Sequence, residues 1–180
     1  MNTKKDTREL LLDSAFTHFY KQGYQGANIA AILNDVGINK GSMYYFFKSK
    51  KELALAVIKE RMYRNLSNKY ETILEEDESL KKLFMTLSDA PNTLVYGCPL
   101  NKMSQEMVYV DEDFKMELSK VYTMFENVIE KILLKEDVAD AKKKARLTIA
   151  MYEGTLMVYH LNQDKEKFKE SIDLLEEEIC

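Results

Sequence analysis

The amino-acid sequence predicts an all-α protein. Only two prolines and six glycines occur among its 180 residues, which suits long helices better than a fold rich in hairpins. Apolar residues also recur at helical spacing, as Leu11, Ala15 and Phe19 do near the start of the chain. Residues suited to N-caps precede several of these stripes. We therefore expect about nine helices and no strand.

Local signals set the bounds of each helix. The first is expected from about Thr3 to Gln22, because Gly23 is suited to the residue that follows a helix end. Asn28 and Asn39 are candidate N-caps of two short helices that follow. Further helices are expected over residues 49–75, capped by Ser49, and over 79–89, 99–109, 111–135, 139–161 and 165–178, with a loop over 90–97.

Residues 26–51, GANIAAILNDVGINKGSMYYFFKSKK, have a pattern typical of a helix-turn-helix that binds DNA. An apolar stripe runs through positions 29, 32, 33 and 36, Gly37 supplies the positive φ of a tight turn, and Ile38 fills the crease between two helices. After Asn39, residues 40–42 are small or basic, so the backbone N–H groups at the positive helix end are open to an anion. Tyrosines and lysines follow, which is what docking on phosphates requires.

On these residues the chain resembles the TetR family of bacterial transcriptional regulators, over about residues 8–58. VGINKGSMYYFFKSKKEL matches the family's DNA-binding pattern almost throughout, and Asn28 and Asn39 stand where Thr and Ser are usual. The resemblance implies a helix-turn-helix DNA-binding domain at 1–48, an effector-binding and dimerisation domain at 49–180, and helix 49–75 as their link. It also implies the residues that contact DNA, namely Asn28, Asn39, Lys40, Gly41, Ser42, Tyr44, Tyr45, Lys48 and Lys50.

Most of these contacts are expected to be to phosphates, which position a protein without reading sequence. Base reading is expected chiefly from Lys40 and Ser42, with Tyr44 against thymine methyl groups. Tyr44, Tyr45 and the two phenylalanines that follow cannot all face inward on one short helix, so Tyr44 or Tyr45 must be exposed, while Phe47 belongs to the core.

Charge is distributed as in a DNA-binding protein with a second domain that does not touch DNA. The net charge is −4, but residues 1–51 hold eight Lys/Arg against four Asp/Glu, which gives +4 and leaves −8 for residues 52–180. A random charge asymmetry is the alternative.

Composition also limits the class of protein. No run of about twenty apolar residues could span a membrane, and the N-terminus alternates apolar with charged residues, unlike a signal peptide. Two cysteines make neither a disulfide framework nor a zinc site. No catalytic signature appears. We expect a cytoplasmic protein that is not an enzyme, with no cofactor, no metal and no membrane partner.

A second candidate site begins at Tyr96-Gly97-Cys98-Pro99-Leu100-Asn101, with Glu106 further on. It resembles a Gly-Cys-x-x-x-Asn/Gly…Glu pattern of one TetR subgroup. Glu153 interrupts the apolar run IAMYEGTLMVY, where a carboxylate needs a partner or a function. An effector of unknown identity is expected to bind among the polar, aromatic and methionine side chains of these helices, which are Tyr96, Cys98, Asn101, Met103, Glu106, Met107, Tyr122, Phe125, Tyr152, Glu153, Tyr159 and His160.

Alternatives remain for these residues. Methionines and aromatics at helical spacing are more often core, and His18 and His160 suit structural roles better than metal binding. Cys98, as N-cap before Pro99, would have its thiolate stabilised by the helix N-terminus, so it could react with oxidants or electrophiles. The competing interpretation is an ordinary buried cysteine. Cys180 is expected to be exposed and without function.

A dimer surface is expected on the last two helices. Ala150 and Gly154 are four residues apart with Val158 one turn on, so a second helix could approach closely. The terminal helix carries one stripe formed by Phe168, Ile172, Leu175 and Ile179. The pair resembles the family's four-helix dimer interface. The alternative is that both helices close the core of one chain.

These observations favour a homodimeric repressor that binds a palindromic operator and is released by an effector. The first alternative is an architectural DNA-binding protein without a ligand, and the second is a regulator that is switched by oxidants or electrophiles at Cys98. A third is a small helical enzyme that happens to carry the motif.

Overall fold

The structure is a computed structural model that describes residues 4–180, with side chains from Asp6 onward. All regular elements in that range are helices, so the predicted all-α fold is confirmed. They are α1 (Lys4–Gly26), α2 (Ile29–Val36), α3 (Lys40–Phe46), α4 (the consecutive segments Lys50–Val57, Ile58–Met62 and Tyr63–Glu75), α5 (Ser79–Ser88), α6 (Ala90–Thr93), α7 (Pro99–Met107), α8 (Glu112–Lys135), α9 (Ala141–Asn162) and α10 (Lys165–Ile179).

Most predicted bounds agree with these helices within a few residues. The predicted start at Thr3 lies outside the described residues. The short helix α6 forms where a loop was expected, because Pro91 sits in its first turn, where a missing N–H costs nothing. Helix α7 ends at Met107, two residues before the predicted end.

Gly23 interrupts α1 and does not end it. Its φ of 74° and ψ of 173° are non-helical, after which one further turn reaches Gly26. The Ala27 N–H donates to the Gly23 carbonyl at 3.2 Å and closes that turn. The prediction that α1 ends at Gln22 was therefore correct about the break and wrong about the turn beyond it.

Capping residues fix the starts of the next three helices as predicted. Asn28 accepts a hydrogen bond from the Ala30 N–H at 2.8 Å, which caps α2. Asn39 accepts from the Ser42 N–H at 2.8 Å, and Ser49 accepts from the Glu52 N–H at 3.0 Å. Between α2 and α3, Gly37 has the left-handed conformation, φ 71° and ψ 33°, that the turn requires.

The described chain divides into two compact units. One contains the residues up to Arg64 with Lys102–Val121, and the other contains Asn65–Asn101 with Tyr122–Cys180. In the first unit α1 packs against α2 and α4. Its core is built from apolar side chains of these helices, among them Leu11, Leu12, Ala15, Phe19, Ile32, Met43, Phe47, Leu53 and Val57. The predicted division between residues 48 and 49 stays a prediction.

Ion pairs that the sequence did not predict join α1 to α4. Segment 58–62 of α4 is a π-helical turn that carries Glu60 and Arg61. The buried Arg61 guanidinium donates to Glu9 at 2.8 Å and to Asp13 at 2.5 Å. Arg8 binds Glu60 through both terminal nitrogens, which holds the pKa of that carboxyl below its usual range.

The second unit has its own hydrophobic core, and α10 contributes one side to it. Phe168, Ile172, Leu175 and Ile179 are buried there against side chains of α5, α8 and α9. Their assignment to a dimer interface was wrong, because side chains covered within one chain cannot also form its outer surface. For this stripe, the alternative that the helix closes the core of one chain holds.

In residues 4–180, none of the helices combines the length and the apolar composition that crossing a membrane requires.

Candidate functional site

Helix α3 presents one face to solvent and the other to the core. Met43 and Phe47 are buried, while Tyr44 is 42% exposed and Tyr45 is 65% exposed. This confirms the two expectations that Phe47 is core and that a tyrosine of the pair is exposed. Because α3 and its C-cap Phe47 cannot bury all four consecutive aromatics, the sequence leaves aromatic surface beside the basic residues of α3.

The beginning of α3 is held by its own cap. Asn39 Oδ1 accepts from both the Ser42 N–H and the Ser42 hydroxyl, the latter at 3.2 Å. A Cβ at Gly41 would lie 3.2 Å from the same oxygen, so a larger residue would crowd the cap. Lys40 lies beside it, with its ammonium 5.7 Å from the centre of the Tyr44 ring. Asn39, Lys40 and Gly41 are exposed, so this capped helix N-terminus lies at the surface next to a cation.

The three lysines after α3 have different surroundings. Lys48 is exposed, and its ammonium donates to the Tyr44 carbonyl at 3.2 Å. Lys50 is half-buried over the Tyr24 ring at 4.8 Å, and burial lowers the pKa of its ammonium. Lys51 forms ion pairs with Asp111 and Asp113, both at 2.7 Å. Lys48 is thus the lysine of this run best placed for a phosphate.

The second unit holds a polar cluster around Glu153. Glu153 is only 8% exposed, and its Oε2 accepts from the Asn101 amide at 2.9 Å. The Cys98 thiol also hydrogen-bonds this carboxyl. Burial raises the pKa of Glu153, and within the described residues its Oε1 has no hydrogen-bond partner. The sequence-based choice of Glu153, Cys98 and Asn101 thus names three residues that the fold brings together.

Two residues of α4 that the sequence analysis missed belong to the same surroundings. Tyr70 is buried and has its pKa raised, first by burial and then by the charges of Cys98 and Glu153. Lys69 has its ammonium pKa lowered by burial, with Asp89 and Cys98 acting in the opposite direction. The available signal was Tyr70 between Leu66 and Ile73 at helical spacing, with Lys69 beside it.

Of the two interpretations of Cys98, the ordinary buried cysteine agrees better with its surroundings than the thiolate stabilised by a helix N-terminus. Backbone hydrogen bonds from Asn101 and Leu100 do favour the thiolate, but burial and the Glu153 carboxyl outweigh them and raise the pKa of the thiol well above its usual value. Cys98 therefore stays a protonated thiol near neutral pH.

The other predicted effector residues of the second unit separate into three groups. Phe125, Tyr152 and Tyr159 lie in the hydrophobic core, which agrees with the alternative that aromatics at helical spacing are core residues. His160 places a buried Nε2 with no hydrogen-bond partner among the described residues, close to Gly97. Tyr96 is exposed and Tyr122 is half-buried.

Met103, Glu106 and Met107 differ from these, because they lie in the first unit. Met103 and Met107 are buried there. Glu106 accepts from the Gln25 N–H, and Met107 Sδ accepts from the Gln25 side-chain amide at 3.7 Å. These contacts hold α7 against α1, which is a packing role that the sequence did not indicate.

A groove between α9 and α10 remains open in the single chain. Its volume is about 560 Å³, and Ala150, Gly154, Val158 and Leu174 are among its lining residues. Val158 and Leu174 are exposed apolar residues, and a Cβ at Gly154 would meet no atom within 4 Å. Of the predicted dimer residues, Ala150, Gly154 and Val158 are thus at the surface.

Across residues 4–180, no cluster of three or more His, Cys, Asp or Glu side chains is arranged to hold a metal ion.

Comparisons with known proteins agree with this geometry. Residues 11–57 match the family described as bacterial regulatory proteins, tetR family, and residues 80–173 match the transcriptional regulator LmrA/YxaF-like, C-terminal domain. The chain is 30% identical to the HTH-type transcriptional regulator in the lacX 3′ region of Lactococcus lactis subsp. lactis, over 95% of this chain and 92% of that protein. It is 27% identical to the regulator YxaF of Bacillus subtilis (strain 168), over 92% and 91%.

A third relative is the HTH-type transcriptional repressor NemR of Escherichia coli (strain K12), 27% identical over 66% of this chain and 63% of NemR. The crystal structure of E. coli NemR in its reduced form superposes with a TM-score of 0.85 and 20% identity, covering 97% of this chain and 98% of that one. This likeness shows the same fold. Since a basic and aromatic recognition helix, two family matches and a relative of nearly equal length all agree, the chain belongs to the TetR family of bacterial transcriptional regulators, which are DNA-binding regulators and not enzymes.

Proposed function

We propose that the protein is a homodimeric repressor that binds a palindromic operator and is released from it by a small-molecule effector. The observation that carries this proposal is the exposed face of α3, where Lys40, Tyr44 and Tyr45 lie at the surface beside the helix N-terminus that Asn39 caps. Tyrosine hydroxyls, ammonium groups and backbone N–H groups are the donors that bind phosphates, and Lys40 with Ser42 would reach base edges.

Dimerisation is supported by the open groove of α9 and α10. Ala150 has a small side chain and Gly154 has none, so the same helix of a second copy could pack closely against α9. Val158 and Leu174 would then be covered, which removes apolar surface from water. We therefore assign the interface to the exposed side of both helices, opposite the buried stripe of α10.

Effector control is supported by the cluster around Glu153. A buried carboxylate oxygen without a partner costs stability, and a bound molecule with a hydrogen-bond donor would satisfy it. An effector releases the operator only if it binds one of two conformations more tightly than the other. Repression is proposed because the relative NemR is named a transcriptional repressor. The domains at 1–48 and 49–180 and action in the cytoplasm belong to the same proposal.

The substitution Gly154→Leu tests the dimer. Leucine has room in the single chain and favours a helix more than glycine does, so the variant should fold at least as well. It should nevertheless sediment as a monomer and bind palindromic DNA weakly, while Gly154→Ala should change both much less. A Gly154→Leu protein that sediments as a dimer would remove this face of α9 from the interface.

A further inference from the structure

We propose that Lys102 and Glu106 of α7 are positioning residues for DNA reading: they hold the turn Gly23–Gly26, which leads from α1 into α2, and so fix the helix-turn-helix in place. This inference rests on the proposed binding of a specific operator. Neither residue needs to touch DNA.

Glu106 holds the N–H side of the turn. One of its carboxylate oxygens, Oε2, accepts from the Gln25 N–H at 2.9 Å. The other lies where a Cβ of residue 23 would be, so only glycine admits the carboxylate at this distance from the backbone. The positive φ of Gly23 is a second reason for glycine at this position. Glu106 thus acts as a cap supplied by a different helix.

Lys102 holds the carbonyl side of the same break. Its ammonium donates to the Tyr20 carbonyl at 3.2 Å and to the Lys21 carbonyl at 3.1 Å. These carbonyls belong to the last residues before Gly23, whose φ of 74° and ψ of 173° interrupt the helical backbone of α1. Because Lys102 and Glu106 are four residues apart, they lie on one face of α7 and reach both sides of the break together.

Further contacts show that the turn is held on several sides. Lys50 Nζ donates to the Gln25 carbonyl at 3.3 Å, while the Gln25 side chain donates to Met107 Sδ. Lys51 binds Asp111 and Asp113, which lie just beyond α7 in the same unit. Residues 102–121 therefore form one compact unit with the helix-turn-helix.

The turn matters for DNA because the helix-turn-helix begins directly after it. Ala27 is buried, and the next residue, Asn28, caps α2. If the turn is free to move, α2 and α3 move with it, and binding an operator must then order them at a cost in affinity. Attraction to phosphates in any sequence does not depend on that order.

The test measures the ratio of affinities for two DNA probes. One probe is the duplex that the unaltered protein selects from a random-sequence library, and the other is the same duplex scrambled, both titrated by fluorescence anisotropy at one salt concentration. Glu106→Ala and Lys102→Ala are compared with Glu112→Ala and Lys115→Ala, whose side chains form an exposed ion pair on α8 of the same unit.

Both α7 substitutions should lower the ratio by about tenfold, the loss expected for a charged hydrogen bond. The two substitutions change the net charge in opposite directions. A general electrostatic effect would therefore strengthen the binding of both probes in Glu106→Ala and weaken the binding of both probes in Lys102→Ala. Glu106→Gln keeps an acceptor for Gln25 and should restore much of the ratio. The α8 controls should leave the ratio unchanged.

Hydrogen exchange gives a second measurement on the same variants. The Gln25 amide should exchange faster in Glu106→Ala, while the core amides of α1 and α4 keep their protection. A ratio within twofold of the unaltered protein in either α7 variant would overturn the positioning role and leave DNA binding intact. If the unaltered protein selects no duplex, the proposed function itself fails.

Discussion

At the scale of single residues, burial decides which polar side chains are available for binding. Asn28 and Asn39 serve as caps, and the sequence predicted this because a cap depends on neighbours two or three residues away. The surroundings of Lys50 and Lys51 could not be predicted in this way, because their partners come from distant parts of the chain. Lys48 remains exposed.

Lys48→Ala tests this difference. A lysine that only neutralises a phosphate should, when removed, weaken binding to the operator and to unrelated DNA about equally. It should also reduce the slope of log affinity against log salt by about one for each half-site. Lys131→Ala, at an exposed position on α8, should change neither. A loss confined to the operator would make Lys48 a reader of bases.

Glu153 should make stability depend on pH. Because burial raises the pKa of its carboxyl, the folded state holds the proton more tightly than the unfolded state does. That contribution to stability is complete below about pH 4.3, the usual carboxyl value, and is lost as pH rises through the folded-state pKa. The substitution Glu153→Gln removes this loss of stability at higher pH, because glutamine does not titrate.

The unfolding free energy of Glu153→Gln relative to the unaltered protein, measured by urea unfolding, should therefore rise from pH 4 to pH 8. The exposed Glu177→Gln should show no such trend. A difference that is flat or falls with pH would mean that Glu153 is ionised at no cost.

Cys98 should be the slower of the two thiols. Burial raises the pKa of the Cys98 thiol well above its usual value, whereas Cys180, whose pKa is also raised, is exposed to reagents at the end of α10. In single-thiol variants, Cys98 (left by Cys180→Ser) should react with a thiol reagent about tenfold more slowly than Cys180 (left by Cys98→Ser). Equal or faster labelling of Cys98 would contradict this account and favour regulation through reaction of the Cys98 thiol.

At the scale of helices, α10 shows what an amphipathic pattern can and cannot predict. The stripe of Phe168, Ile172, Leu175 and Ile179 correctly indicated a helix with one covered side. Periodicity does not say what covers that side, because the core of the same chain and a second copy both require apolar residues. The structure assigns the stripe to the core, and this leaves Leu174 on the open side.

Two neighbouring leucines test that assignment. Leu175 is 0% exposed, so Leu175→Ala should lower the free energy of unfolding by about 2–5 kcal/mol. Leu174 is 61% exposed, and Leu174→Ala should cost less than about 0.5 kcal/mol in the monomer but weaken the dimer. Urea unfolding and sedimentation would report the two effects. The opposite pattern would return the stripe to the interface.

At the scale of the whole molecule, sequence predicted the elements better than the contacts between them. The fold class, the helix-turn-helix and three residues of the polar cluster, Glu153, Cys98 and Asn101, were named from local pattern and resemblance, while Tyr70 and Lys69 were missed. The links of Glu106 and Lys102 to α1 join residues about eighty positions apart, and no local spacing encodes such a pair. The π-helical turn of α4 and its ion pairs were missed for the same reason.

Selection of DNA from a random-sequence library by the purified protein tests the central claim most directly. A dimer that reads DNA through two copies of α3 should enrich duplexes with two inverted half-sites, whose centres lie about 10 base pairs or a multiple apart. Tyr44→Ala, which alters the exposed face of α3, should reduce that enrichment. Recovery of sequences without inverted symmetry, or no enrichment at all, would contradict a dimeric operator-binding regulator.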